Sequence, residues 1–123
     1  MKKILILGTA LLCGFLCRVA AQGVEFRDLT FGQALEQART ENKLVFMDCY
    51  TSWCGPCKNM LKNVFTLPEA GEFMNAHFVC VKYDMEKGEG IGLKKRFAVR
   101  AFPTFFIIRP DGTVQHRLAG GSQ

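Results

Sequence analysis

Two cysteines separated by a Gly-Pro pair, Cys54 and Cys57, constrain the fold of this chain more than any other feature. They follow a short apolar run at residues 44–47, which has the length of a buried strand and is typical of a parallel sheet. A helical pattern begins at Cys54, and Pro56 is tolerated because its missing N–H costs no hydrogen bond in a first turn. The two cysteines are therefore predicted to lie at a strand-to-helix junction.

The position of the two thiols predicts redox chemistry. Unpaired backbone N–H groups and the helix dipole stabilise a thiolate at a helix N-terminus, so we expect Cys54 to have a pKa below the ordinary value of about 8.5. Cys57, one turn further along, should be shielded and should resolve a mixed disulfide. Covalent haem would require His at the position that Lys58 occupies. The remaining alternatives are structural zinc, which needs a second ligand pair at similar spacing, and an inert structural disulfide.

The first 21 of the 123 residues have the pattern of a secretory signal peptide. A positively charged start precedes an apolar stretch at residues 4–16, and small residues end at Ala21, so cleavage before Gln22 is predicted. An uncleaved membrane anchor is the alternative, but the stretch is shorter than the roughly 20 residues that a spanning helix needs. The mature chain, residues 22–123, has the length of one domain.

The charge of the mature chain differs from that of the whole sequence. Lys2, Lys3 and Arg18 belong to the predicted signal, so the formal charge falls from +5 to +2. The basic cluster at residues 94–96 is interpreted as a solvated helix face, and nucleic-acid binding is not expected. Two of the six cysteines also belong to the signal. One closely spaced pair and two isolated cysteines remain.

Helical and strand patterns alternate along the mature chain. Thr30 and Gln33 predict a capping box for a helix that extends to Thr40. A second capping box at residues 66–69 predicts a helix through Met74. The other predicted elements are strands at residues 44–50, 78–83, 104–108 and 113–118 and helices at residues 54–65 and 91–97. This order predicts an α/β fold with βαβ wiring followed by an antiparallel hairpin.

Three segments together resemble the thioredoxin family: the apolar run ending at Asp48, the sequence Trp53-Cys54-Gly55-Pro56-Cys57-Lys58, and Phe102-Pro103-Thr104. The surrounding residues resemble secreted members akin to the C-terminal domain of the transmembrane thiol-disulfide interchange protein. The resemblance implies a thioredoxin-like three-layer sandwich with a mixed central sheet. The family's C-terminal helix, which covers one face of the sheet, has no counterpart in this sequence, so we expect a truncated chain of low stability. The alternative is a sheet face that is exposed or covered by a partner.

The resemblance also implies roles for Asp48 and Lys82. Asp48 matches the family's buried acid near the inner thiol, which takes a proton from Cys57, and Lys82 matches the lysine that pairs with this acid. Burial would raise the pKa of Asp48, whereas the alternative is an acid in a turn at the strand end. If Asp48 and Lys82 share a sheet face, strand alternation places Cys80 on that face and Cys49 on the other. A disulfide between Cys49 and Cys80 is then not expected.

Five residues are expected to form the surface that meets a substrate. Pro103 matches the family's cis-proline, so the Phe102–Pro103 peptide bond is predicted to be cis, and Phe102 should shape the contact surface. Trp53 should shield the thiols and offer apolar area to partners. Gly55 should allow close approach, and Pro56 should stiffen the turn. The alternatives are a trans proline at a strand start and a tryptophan that only packs.

The resemblance implies a thiol-disulfide oxidoreductase that is secreted across the inner membrane to the periplasm. Such a protein would reduce the disulfides of protein substrates with electrons from a membrane thiol donor, without a metal or an organic cofactor. Disulfide oxidase or isomerase activity is an alternative, because the direction of exchange depends on the reduction potential. A non-enzymatic redox sensor or adaptor with the same fold is a second alternative.

Overall fold

The computed structural model describes residues 23–120, which form four helices and four strands. The elements are α1 (Phe31–Glu41), β1 (Leu44–Tyr50), α2 (Gly55–Asn63), α3 (Pro68–His77), β2 (Phe78–Asp84), α4 (Gly90–Arg96), β3 (Thr104–Ile108) and β4 (Val114–Ala119). This is the predicted order, although α2 ends earlier and α3 ends later than expected. The predicted signal peptide, residues 1–21, lies outside the described residues. No described helix has both the length and the apolar character needed to cross a membrane.

The four strands form one mixed sheet in the order β2-β1-β3-β4. β1 and β2 are parallel, whereas β3 is antiparallel to both β1 and β4. A parallel pair requires a crossover connection, which α2 and α3 supply here, while a tight turn at residues 110–112 joins β3 to β4. The predicted α/β fold class is therefore confirmed.

Helices cover both faces of the sheet. Strand alternation directs Val45, Met47 and Cys49 into a buried cluster with residues of α1 and α4. Phe46 points the other way, into a second cluster with residues of α2 and α3. The fold is thus a three-layer sandwich, as the resemblance implied. Asp48 follows the same alternation and lies on the α2 face with Phe46.

Local hydrogen bonds explain where α1 and α3 begin. The Gln33 N–H donates to Thr30 Oγ1 and the Thr30 N–H donates to Gln33 Oε1, so the first predicted capping box is confirmed. The second predicted box is wrong, because the N-cap of α3 is Leu67 and not Thr66. The Thr66 hydroxyl donates to the carbonyl of Lys62 in the preceding helix. α3 instead begins at Pro68 with no side-chain cap. Proline suits this position because its missing N–H needs no partner there.

The segment before α1 extends the sheet beyond β2, which the sequence patterns did not predict. Phe26 forms a parallel bridge with Cys80, and the Arg27 N–H donates to the Cys80 carbonyl at 2.8 Å. Gly23 lies against α3, where a methyl group added at Gly71 would come within 2.1 Å of the Gly23 carbonyl oxygen. Gly71 is therefore required by a close approach between two backbone segments.

β4 forms the open edge of the sheet. All six of its residues are exposed, and its largest apolar side chain, Leu118, is 58 % exposed. Within residues 23–120 no helix follows this strand. β4 therefore leaves one edge of the sheet unpaired in the described part of the chain, and the absence of the family's C-terminal helix through truncation stays a prediction.

Candidate active site

Cys54 and Cys57 are joined by a disulfide at the start of α2, with their Cα atoms 5.3 Å apart. Cys54 is the N-cap of the helix, and its Sγ accepts a hydrogen bond from the Cys57 N–H at 3.1 Å. Both residues are buried. The predicted strand-to-helix junction is confirmed. An amide directed at the Cys54 sulfur is the kind of donor that stabilises a thiolate after reduction of the disulfide.

The turn that carries the disulfide is fixed at its base and open on its outer side. The Cys54 N–H donates to the Thr51 carbonyl at 3.3 Å, which connects the turn to the end of β1. Gly55 and Pro56 are exposed, and Pro56 lies in the first turn of α2 as predicted. The solvent-facing side of the turn is therefore formed by Gly55 and Pro56, with both sulfur-bearing residues buried beneath them.

Asp48 is almost completely buried near the end of β1, on the face that α2 covers. Its Oδ1 atom has no hydrogen-bond partner among residues 23–120. Burial penalises the charged carboxylate and raises the pKa of Asp48 to about 7, while the positive charge of Lys82 acts in the opposite direction. The alternative of an acid in an exposed turn is therefore wrong. A carboxyl with this pKa can exchange a proton near neutral pH.

Lys82 lies opposite Asp48 in the parallel register of β1 and β2. Its ammonium group lies over the ring of Phe26, 5.3 Å from the ring centroid. In the described part of the chain, no ion pair joins Lys82 to Asp48. The resemblance implied a direct Lys82–Asp48 pair, but Lys82 instead makes a cation–π contact with Phe26. Its charge still lowers the pKa of Asp48 from a distance. The difference arises because the segment before α1 supplies Phe26.

Cys49 and Cys80 are free, buried and on opposite faces of the sheet. This placement confirms the prediction from strand alternation. Burial raises the pKa of each thiol to about 12, so neither forms a thiolate at neutral pH. Both cysteines act as small apolar core residues.

Trp53 and Phe102 form an edge-to-face aromatic pair, with ring centroids 5.9 Å apart, between the disulfide turn and Pro103. The Phe102–Pro103 peptide bond is cis, as predicted. The Trp53 Nε1–H donates to Glu86 Oε1 at 2.6 Å. Glu86 could not be predicted from the sequence, because this contact joins two loops 33 positions apart and no periodicity or motif connects them.

An open groove of about 410 Å³ lies beside the disulfide turn. Its lining is mostly apolar and consists of Pro56, Asn59, Met60, Pro103, Phe105, Leu118, Ala119 and Gly120. The structure therefore brings two predicted substrate-contacting residues, Pro56 and Pro103, to one surface. Within residues 23–120, no three His, Cys, Asp or Glu side chains are grouped so that they could hold a metal ion.

Comparison with known proteins identifies the family. A family model described as a thioredoxin-like domain matches residues 31–123, which include every helix and strand described above. The chain belongs to the thioredoxin-like family. It has the fold and the Cys-Gly-Pro-Cys pair of a thioredoxin-like disulfide oxidoreductase, and the resemblance recognised in the sequence is confirmed.

Three individual relatives illustrate the similarity. The solution structure of a proposed disulphide isomerase from Bacteroides thetaiotaomicron has 48 % sequence identity and a TM-score of 0.74, covering 84 % of this chain and 85 % of that chain. The chloroplastic thioredoxin Y of Oryza sativa subsp. japonica is 34 % identical over 103 residues, which are 84 % of this chain and 58 % of the rice protein. The thiol:disulfide interchange protein DsbD of Pseudomonas fluorescens is 32 % identical over 81 residues, which are 65 % of this chain and 14 % of DsbD. This thioredoxin-like chain thus spans little more than half of the rice protein and a small part of DsbD.

Proposed function

We propose that this thioredoxin-like protein is an extracytoplasmic thiol-disulfide oxidoreductase that reduces disulfides in protein substrates. The observation that carries the proposal is the Cys54–Cys57 pair at the N-terminus of α2, with Asp48 buried on the sheet face that this helix covers. This arrangement combines a stabilised thiolate, a second thiol one turn away and a proton acceptor with a near-neutral pKa.

Cys54 acts first, as the nucleophile of the reduced protein. Its thiolate attacks one sulfur of a substrate disulfide, which forms a mixed disulfide and releases the other substrate sulfur as a thiolate that takes up a proton. The N–H groups at the start of α2 lower the pKa of Cys54, so that a useful fraction of the thiol is ionised at neutral pH. The exposed residues Gly55 and Pro56, which follow Cys54 in the turn, leave room for a substrate segment beside the buried sulfur.

Cys57 then resolves the mixed disulfide. It transfers its proton to the Asp48 carboxylate, and its thiolate attacks the Cys54 sulfur. The Cys54–Cys57 disulfide forms, and the second substrate sulfur leaves and is protonated, so two electrons have passed from the protein to the substrate. The positive charge of Lys82 favours the ionised form of Asp48, which is the form that accepts the proton.

The cycle requires a reductant that restores the Cys54 and Cys57 thiols, and we assign this role to a membrane thiol donor. The predicted signal peptide at residues 1–21 supports export to the periplasm, and the similarity to DsbD, a thiol:disulfide interchange protein, supports exchange with another thiol protein. Cytoplasmic reductants do not reach an exported protein, so its electrons must cross the membrane. Substrates would meet the Trp53–Phe102 pair and the groove beside Pro56.

Reduction of insulin by dithiothreitol, followed as the turbidity of the released chains, tests the proposed activity. The wild-type protein should accelerate the reaction, and Cys54→Ser should abolish the acceleration. Cys57→Ser should accumulate covalent complexes with substrate through Cys54, which also identifies natural substrates. Cys80→Ala is the matched control and should remain active, because Cys80 is buried outside the pair. A wild-type protein that fails to accelerate the reaction while Cys54 remains titratable would contradict the enzyme proposal and favour a redox sensor or adaptor.

Disulfide isomerisation is the second candidate, favoured by the 48 % identity to the proposed disulphide isomerase. The two activities differ in reduction potential, which is about −270 mV for thioredoxin and about −180 mV for protein disulfide isomerase. Equilibration of the Cys54–Cys57 pair with glutathione buffers measures this potential. A value near that of thioredoxin supports the reductase. A value near that of the isomerase, together with reactivation of a scrambled disulfide protein, supports the isomerase.

A further inference from the structure

The aromatic side chain next to the disulfide is exposed but held at its polar end. Trp53 directly precedes Cys54, and it is 65 % exposed, more than any other large hydrophobic residue that the structure describes. Its Nε1–H donates to Glu86 Oε1 at 2.6 Å, and its ring meets the ring of Phe102 edge to face. These two contacts fix an indole ring that would otherwise be free to rotate in solvent.

The central sheet determines the position of Glu86. The N–H of the preceding residue, Met85, donates to the Tyr50 carbonyl at 2.8 Å, and the Met85 side chain is fully buried. The Glu86 N–H donates to Asp84 Oδ1 at 2.9 Å. The backbone that carries Glu86 is therefore attached to the ends of β1 and β2, directly beside the redox turn. A carboxylate held in this way provides a fixed acceptor for the indole.

A second charged residue, Lys94, makes a cation–π contact with the ring of Phe102. The Lys94 ammonium group lies 5.9 Å from the centroid of the Phe102 ring. Lys94 belongs to α4, which follows the loop of Glu86 in the chain. Each ring of the aromatic pair is thus contacted by one ionic side chain from the region between β2 and the end of α4.

We propose that Glu86 is a positioning residue for partner recognition. By fixing the Trp53 indole against Phe102, it presents a preformed apolar surface to a protein that carries an apolar side chain beside its disulfide. A ring that is already ordered loses less conformational entropy when a partner binds, so the contact contributes more to affinity. This inference rests on the proposed oxidoreductase function and assigns no chemical step to Glu86.

Two substitutions separate the hydrogen bond from the charge. Glu86→Ala removes the acceptor, whereas Glu86→Gln keeps an amide oxygen that can accept from the indole. Glu86→Ala should raise the KM for insulin roughly fivefold, the effect of losing one hydrogen bond, with kcat unchanged. The rate with 2-hydroxyethyl disulfide should not change, because this small molecule reaches the sulfur without the aromatic surface. Glu86→Gln should resemble the wild type, as should the control Glu72→Ala, which alters an exposed glutamate on α3.

Fluorescence tests the positioning without any activity assay, because Trp53 is the only tryptophan in the chain. Glu86→Ala should lower the emission anisotropy of Trp53 and increase its quenching by acrylamide, and Glu86→Gln should restore both. Unchanged anisotropy and quenching in Glu86→Ala would overturn the positioning role. An equal loss of rate with the small disulfide would overturn it as well, since Glu86 would then act on the chemistry of Cys54. A wild-type protein that reduces neither substrate would instead overturn the proposed function and the recognition role with it.

Discussion

Replacing Asp48 with Asn should stabilise the protein at alkaline pH and leave its stability unchanged in acid. The ordinary pKa of an aspartate in an unfolded chain is about 3.9, whereas burial raises the pKa of Asp48 to about 7 in the folded protein. The folded state therefore binds this proton more tightly than the unfolded state. The free energy of unfolding of the wild type consequently falls as the pH rises between these two values.

The size of the effect follows from the two pKa values. A tenfold change in an ionisation constant corresponds to about 1.4 kcal/mol, so the charged form of Asp48 destabilises the folded wild type by about 4 kcal/mol above pH 8. Asn has nearly the same shape and carries no charge at any pH. Asp48→Asn should therefore match the wild type in its free energy of unfolding near pH 4. As the pH rises to 8, the variant should become progressively more stable than the wild type, by up to about 4 kcal/mol.

Urea unfolding of both oxidised proteins between pH 4 and pH 9 measures the difference. Asp28→Asn provides the control, because Asp28 is exposed, and its effect should stay within about 0.5 kcal/mol. A difference between Asp48→Asn and the wild type that does not vary with pH would refute the reasoning, since the cause would not be a buried charge. The same variant should reduce insulin about a hundredfold more slowly at pH 7, because Asn cannot accept the Cys57 proton.

Two further substitutions test the packing that supports the site. Gly71→Ala should lower the free energy of unfolding by more than about 2 kcal/mol in urea titrations, because its methyl group would meet the backbone of the N-terminal segment. The matched change Gly32→Ala in α1, where the new methyl group meets nothing, should instead stabilise by about 0.5–1 kcal/mol; equal effects at the two sites would contradict the close approach. Thr51→Val should be neutral or slightly stabilising in thermal unfolding, because it replaces a buried hydroxyl without a partner among the described residues; a loss above about 2 kcal/mol would reveal a hydrogen bond there.

Hydrophobic periodicity was sufficient to predict the order of the elements. Two apolar patterns are clear in the sequence: the run at residues 44–47 and the helical repeat that begins at Phe31. Each forms a buried face in the structure, and the spacing of the apolar residues determines whether the segment is a strand or a helix. The capping box at residues 66–69 failed for a local reason. α3 begins one residue later than the box requires, with Leu67 as its N-cap, and the Thr66 side chain bonds back to the carbonyl of Lys62 in the preceding helix.

The candidate site was predictable where it depended on motif spacing and strand alternation. Cys54, Cys57 and Asp48 belong to one strand-turn-helix unit, so their relative placement was accessible from the sequence. The position of Lys82 over Phe26 was not accessible from the sequence, because Phe26 belongs to the segment before α1, which joins the sheet edge by long-range pairing. The contact of Glu86 with Trp53 was missed for the same reason. Contacts between distant loops are set by the tertiary structure and leave no local pattern.

The separation of Cys49 and Cys80 by the sheet restricts the disulfides that the folded protein can form. The four cysteines at positions 49, 54, 57 and 80 can form two disulfides in three ways in an unfolded chain, but in the folded protein Cys49 and Cys80 face opposite helical layers and cannot meet. Folding therefore determines which cysteines can form a disulfide. A disulfide that joins Cys49 to Cys80 can form only before the sheet closes, and Cys54–Cys57 is the one disulfide among the described residues.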